Sequence, residues 1–182
     1  TTASYNTAVG TLALEANTTG HTNTAIGYNT LNDNTTALYN TAIGGKAMDV
    51  TTTGGSNVAV GYDALGKNVS DTANTAVGYA ALEDANGSGF CTGLGYAAGK
   101  DLTTGDNNLC LGYNAGASAS PSGTLTTESN EICLGNDAIS QAHIQVDWTV
   151  ASDQRDKTDF TALDVGLDFV KALEPVTYKW DK

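Results

Sequence analysis

Small and large apolar residues recur along this chain at a constant step. Glycines stand at 10, 27, 44, 61, 78, 95 and 112, 17 residues apart, and again at 135 after a step of 23. A branched aliphatic residue precedes each one: Val9, Ile26, Ile43, Val60, Val77, Leu94, Leu111 and Leu134. One position earlier stands something small: Ala8, Ala25, Ala42, Ala59, Ala76, Gly93, Cys110 and Cys133. Tyrosine follows the glycine at 28, 62, 79, 96 and 113, and a large apolar residue lies four beyond it at Leu14, Leu31, Met48, Leu65, Leu82 and Ile139. Alternation of small and large side chains, as in Asn23 to Tyr28, has the period of a strand. The stretch after it is rich in Asn, Thr, Gly and Asp, the residues of turns. So much Thr, Asn and Gly disfavours helix. Each 17-residue unit therefore reads as one solenoid coil with two short strands and two turns. Parallel coils stacked at about 4.8 Å predict a rod of roughly 38 Å, with like residues in ladders. The longer last step places a six-residue insertion in the loop around Ala117–Thr127, which holds Pro121.

Each coil offers two or three large apolar side chains, too few for a lone chain to hide enough surface. Association is expected. The small-residue column is predicted to lie where neighbouring backbones approach closely, with closed cyclic symmetry to prevent runaway growth. The repeat alone leaves two chains or three open.

Composition agrees with a fibre rather than a globule: 21 Gly, 2 Pro, 3 Phe, 1 Met and 15% charged residues. Charge this low, with apolar residues this regular, argues against disorder. The net charge is −12, and residues 1–151 hold 3 Lys+Arg against 13 Asp+Glu. No basic stripe exists, so nucleic acid is excluded as a partner. An acidic shaft also avoids anionic membranes, and no apolar run is long enough to insert in one. The chain opens at Thr1 in mid-repeat, so a further N-terminal segment is expected. Cys91, Cys110 and Cys133 form no framework spacing and are expected as free thiols; Cys110 and Cys133 share one position in successive coils and read as small buried residues.

Thr7, Thr24, Thr41, Thr75 and Thr92 form a ladder interrupted by Val58, Leu109 and Ile132, which suits ordinary β-stacking better than water ordering. Asn6, Asn23, Asn40, Asn57 and Asn74 form another, read as satisfying turns rather than binding a ligand. Asp33, Asp49, Glu83, Asp84 and Asp101 lack the dense spacing of a cation loop and read as a solvated face. His21 and His143 lie far apart, and no metal or cofactor is expected.

The tail changes character. Ile144, Val146, Trp148 and Val150 alternate as a strand. Asp164 is placed to cap a short helix with Leu167, Val170 and Leu173 on one face. Pro175 ends it, and Val176, Tyr178 and Trp180 alternate as another strand. Ser152 and Lys157 are the candidate catalytic pair. A Ser–Lys dyad needs a neutral lysine to take the hydroxyl proton, and a nearby cation such as Arg155 depresses a lysine pKa. The other reading has Ser152 capping a turn and Lys157 paired with Asp153 or Asp159, and Asp156 would hold the lysine charged.

The motif Asn-Thr-Ala-Ile-Gly-Tyr-x-x-Leu at 23–31, with its echoes at 57–65 and 74–82, resembles the heads of trimeric autotransporter adhesins and repeats in phage tail fibres. That resemblance, over about residues 1–139, implies a homotrimer of left-handed parallel β-rolls. Ser152-Asp153-Gln154-Arg155-Asp156-Lys157-Thr158-Asp159-Phe160 resembles the opening of the intramolecular chaperone of phage tailspikes, endosialidases and fibres. The blocks Gly166–Val170 and Leu173–Trp180 resemble it further on, with Asp156 and Phe160 departing from the usual Leu and Ile. The resemblance implies self-cleavage between Ala151 and Ser152.

The whole reads as an all-β, homotrimeric parallel solenoid with a short α+β C-terminal segment. Residues 1–139 are the shaft, 140–151 a connecting strand, and 152–182 the start of a chaperone-like domain. The function expected is the structural and receptor-binding distal part of a tailed-phage fibre in the virion, recognising a host-cell glycan, with no enzymatic role beyond autoproteolysis. The alternative is a trimeric adhesin head on a bacterial surface, which would continue into a membrane anchor.

Overall fold

A computed structural model describes residues 2–118, 120 and 123–143. The chain divides into two compact units, Thr1–Ala142 and His143–Lys182. The first is an all-β parallel solenoid, and no helix occurs among the described residues. Its strands are β1 (Thr7–Val9), β2 (Thr24–Ile26), β3 (Thr41–Ile43), β4 (Val58–Val60), β5 (Thr75–Val77), β6 (Thr92–Leu94), β7 (Leu109–Leu111) and β8 (Ile132–Leu134). They form one eight-stranded parallel sheet in sequence order. Register follows the repeat: Ala25 pairs with Ala42, Ala59 with Ala76, and Cys110 with Cys133 across the insertion.

Each described coil has one three-residue strand, not the two expected from the sequence. The reason is backbone conformation. Asn29, Leu31, Lys46, Met48, Asp63, Leu65, Ala80 and Leu82 all have φ between 48° and 59°. A left-handed residue at every second position prevents an extended strand. The amides still pair between coils: Leu31 N–H donates to Ala47 C=O at 3.1 Å, and Lys46 N–H to Tyr28 C=O at 2.9 Å. Left-handed backbone costs an L-residue roughly 1–2 kcal/mol, and it is most costly for β-branched side chains. This accounts for Leu and Met, rather than Val or Ile, at 31, 48, 65 and 82, where the residue is both left-handed and part of the core cluster, and at Leu14, which is left-handed and packs against that cluster. The repeat glycine is required for a different reason. Gly27 has φ 138°, and a methyl group there would stand 2.7 Å from the carbonyl carbon of Gly44 in the next coil.

The core is thin. Ala25, Ala42, Ala59 and Ala76 are fully buried and pack with Leu31, Met48, Leu65 and Leu82 in one cluster that continues to Cys110 and Cys133. This corrects the role expected for the small-residue column. Those side chains point inward, against the chain's own leucines, and do not lie on an outer contact face. They are small because the coil leaves little room there: a Cβ on Gly93 would stand 2.8 Å from the Ala98 carbonyl oxygen and 2.9 Å from Leu82 Cγ.

In coils 6 and 7, Gly99 and Gly116 replace the core leucine. Leu102 and Leu125, at the place where earlier coils hold Asn17, Asn34, Thr51 and Asn68, enter the same core cluster instead. A Gly116 Cβ would lie 3.2 Å from Leu125 Cδ1, so the leucine occupies the room the glycine leaves. The insertion sits at this point. In other coils an amide donates three residues back, as Asn68 N–H does to Leu65 C=O; here Leu125 N–H donates to Gly116 C=O at 2.9 Å, so the same bond spans the inserted residues in sequence.

Candidate functional site

Two surfaces and one interior ladder carry the chemistry of the described shaft. The ladder is asparagine. Asn40 Oδ1 accepts the Asn57 N–H at 2.9 Å, Asn57 Oδ1 accepts the Asn74 N–H at 2.9 Å, and Asn74 Oδ1 accepts the Cys91 N–H at 2.8 Å. The amide nitrogens donate across the coil, Asn57 Nδ2 to Asp71 C=O at 2.8 Å and Asn74 Nδ2 to Ser88 C=O at 2.7 Å. Asn23, Asn40, Asn57 and Asn74 are all buried. The ladder thus satisfies backbone groups, as the sequence suggested, and holds every donor and acceptor inward.

Cys91 is a member that the sequence reading missed. It takes the asparagine position in its coil, donates Sγ–H to Gly105 C=O at 3.2 Å, and receives the Asn108 N–H at 3.5 Å. Burial pushes its thiol pKa up. Counting back four residues from Gly95 would have found it. Cys110 and Cys133 are buried in successive coils, and Cys110 carries a free thiol as expected. Burial, with Cys133 alongside, pushes the Cys110 pKa up to about 12.

The first surface row is aliphatic. Val9 is 56% exposed, Leu94 49% and Leu134 51%, with Ile26 and Ile43 also exposed. The second row is tyrosine, one residue beyond the glycine. Rings of Tyr62, Tyr79, Tyr96 and Tyr113 stack with centroids 5.7, 5.0 and 5.5 Å apart. Each is about half exposed, and Tyr28 lies in the same column beyond Gly45, which interrupts it.

Acidic residues sit elsewhere. Lys67 pairs with Asp84 and Lys100 with Glu83 between successive coils. Partial burial, then Asp63, raises the Asp49 carboxyl above the usual carboxylate range, opposed by Lys46 and a hydrogen bond from Asn29. No three His, Cys, Asp or Glu side chains gather to hold a metal among the described residues. No helix among them is long and apolar enough to cross a membrane. The threonines of the strand column are half-buried at Thr24, Thr41, Thr75 and Thr92.

Ser152, Arg155 and Lys157 lie outside the described residues, as do the tail strands and the helix expected after Asp164. Residues 152–182 match the family model described as chaperone of endosialidase. The tail therefore has the character of an intramolecular chaperone, following a β-solenoid. No curated protein and no solved structure matches the chain.

Proposed function

We propose that this chain is the distal shaft of a tailed-phage fibre, running into the chaperone that assembles it. The observation that carries the reading is the chaperone-of-endosialidase match at 152–182, directly after a solenoid with an exposed aliphatic row. In this reading residues 1–139 are the shaft, 140–151 the connecting strand and 152–182 the opening of the chaperone. Three copies assemble in closed symmetry. The thin core of each coil and the bare aliphatic row both favour association, because a stripe of apolar surface gains about 25 cal/mol per Å² when covered. The distal position suits recognition of a host-surface glycan.

The chaperone solves a registration problem. Near-identical coils on neighbouring chains can align one repeat out of step. A C-terminal trimeriser sets the register, and ordered coils propagate from that end. Cleavage between Ala151 and Ser152 then makes the product irreversible. Ser152 Oγ attacks the carbonyl carbon of Ala151 while neutral Lys157, kept neutral by Arg155, takes the hydroxyl proton. The Ala151–Ser152 C–N bond breaks as that proton passes to the Ser152 nitrogen, and water hydrolyses the resulting ester to separate the two chains. The test expresses the chain with its complete C-terminal domain beside Ser152→Ala and Lys157→Ala. The expected result is a trimer by native mass, with a cut before Ser152 in the wild type alone. An uncut wild-type trimer removes the dyad and leaves a structural boundary. A monomer removes the assembly reading.

A further inference from the structure

Resting on that assembly reading, we infer that the tyrosine stripe is the seam on which a second copy of this chain packs, ring edges and hydroxyls meeting the outward aliphatic row of that copy.

Extent comes first. Half-exposed tyrosines show on the order of 100 Å² each. Five of them, beside the aliphatic row, exceed the few hundred Å² that a solitary soluble chain usually leaves bare. The stripe is comparable with the roughly 800 Å² each partner gives to a standard interface. It is unbroken from Tyr62 to Tyr113, where Val60 and Tyr62, Val77 and Tyr79, Leu94 and Tyr96 flank the same row of glycines, and it resumes at Tyr28 past Gly45. The other exposed aromatics, Tyr5, Tyr39 and Phe90, fall in a different column, where Thr22, Ser56, Ala73 and Asn107 interrupt them.

Geometry then selects the occupant. Tyr79 and Tyr96 stack within 10° of parallel with centroids 5.0 Å apart, so their faces are covered by one another. A sugar ring stacks on an open aromatic face, and the inner rungs of this ladder present none. What they present is a file of C–H edges and hydroxyls, the amphipathic surface for which tyrosine is enriched at interfaces. A partner that meets successive rungs must repeat at the same interval of about 5 Å, near the inter-strand spacing of any β-sheet. Another copy of this chain has that interval in its aliphatic row, rung for rung.

The test is tyrosine nitration of the native full-length protein, with its complete C-terminal domain, read by peptide mapping. Tyr28 and Tyr39 are each 57% exposed in the single chain, one in the stripe and one outside it. Tetranitromethane is expected to modify Tyr39 and spare Tyr28, and to modify both after denaturation. A benzoylphenylalanine at position 79 is expected to cross-link two chains, through the segment around Val60 to Leu94. Equal modification of Tyr28 and Tyr39 in a particle of three-chain mass overturns the seam while leaving the trimer standing. Protection of Tyr28 that appears only when host-surface glycan is added also overturns it and assigns the stripe to the receptor. A native mass of one chain overturns the assembly reading itself.

Discussion

At the scale of single residues, the buried asparagines have the largest consequences. Asn57 is fully buried and holds the Asn74 N–H and the Asp71 C=O. Asn57→Ala orphans both groups, at about 1–3 kcal/mol for each, and thermal unfolding will show a clear drop. Cys91 offers the converse experiment. Its sulfur bonds are longer and weaker than the amide bonds they replace. Cys91→Asn restores the ladder, and a rise in Tm is expected, on the scale of about 0.5–1.5 kcal/mol per improved bond. Cys110 makes the fold sensitive to alkali. It keeps its proton to about pH 12 in the fold, against an ordinary thiol value of 9.0. Between those values the unfolded chain releases a proton that the fold retains. Stability is therefore whole below pH 9.0 and declines as pH climbs toward 12. Tm compared between about pH 8 and about pH 11 should fall further in wild type than in Cys110→Ala, since all other titrating groups are shared.

At the scale of the coil, the exchange of leucine positions is the informative feature. A Cβ on Gly99 would lie 2.6 Å from Leu82 Cδ2 and 3.4 Å from Cys110 Sγ. Backbone is no obstacle, because Gly99 has φ 63° and Leu65, at the same place in its own coil, has φ 52°. Gly99→Leu should thus fail by overpacking alone, at about 1–3 kcal/mol. Adding Leu102→Asn moves the bulk back to the arrangement of coils 2 and 4, where Leu31 accompanies Asn34 and Leu65 accompanies Asn68. The pair should recover part of the loss, and a double-mutant cycle measures the coupling. If the two costs simply add, Leu102 is not filling the space Gly99 leaves. The last coil shows the pattern ending: Gly135 has φ 71° rather than the 110–139° of the earlier repeat glycines, and Ile139 is 59% exposed where the preceding leucines are buried.

At the scale of the molecule, a chain whose coils each contact only their neighbours gains stability rung by rung. A lone shaft would fray from its ends. Joined to copies along the aliphatic and tyrosine rows, it frays only when several chains separate together, so resistance to denaturation should be kinetic. The assembled protein is expected to unfold slowly in denaturant, with a transition that moves with scan rate. Removal of residues 152–182 before folding should lower the yield of assembled product. Removal by proteolysis after assembly should leave the unfolding rate unchanged.

Eight glycines with their flanking residues determined the solenoid, its parallel register and the site of its insertion, because a stacked repeat exposes its period directly in the sequence. The asparagine ladder and the buried thiols were legible for the same reason. The tail motif was legible as well, since the residues of 152–182 carry it without any fold being known. Which side of the strand faces inward was not. Ala59 and Val60 alternate whichever way the strand turns, and a small residue suits a close contact on either side. Only the closure of the coil, with Leu65 and Leu82 folded back over Ala59 and Ala76, decided that alanine is core and the aliphatic row is surface. The missing second strand was likewise decided in three dimensions. Left-handed backbone at Leu31 or Met48 leaves no trace in a hydrophobic pattern, and it is held there by hydrogen bonds to the next coil rather than by the residue's own preference.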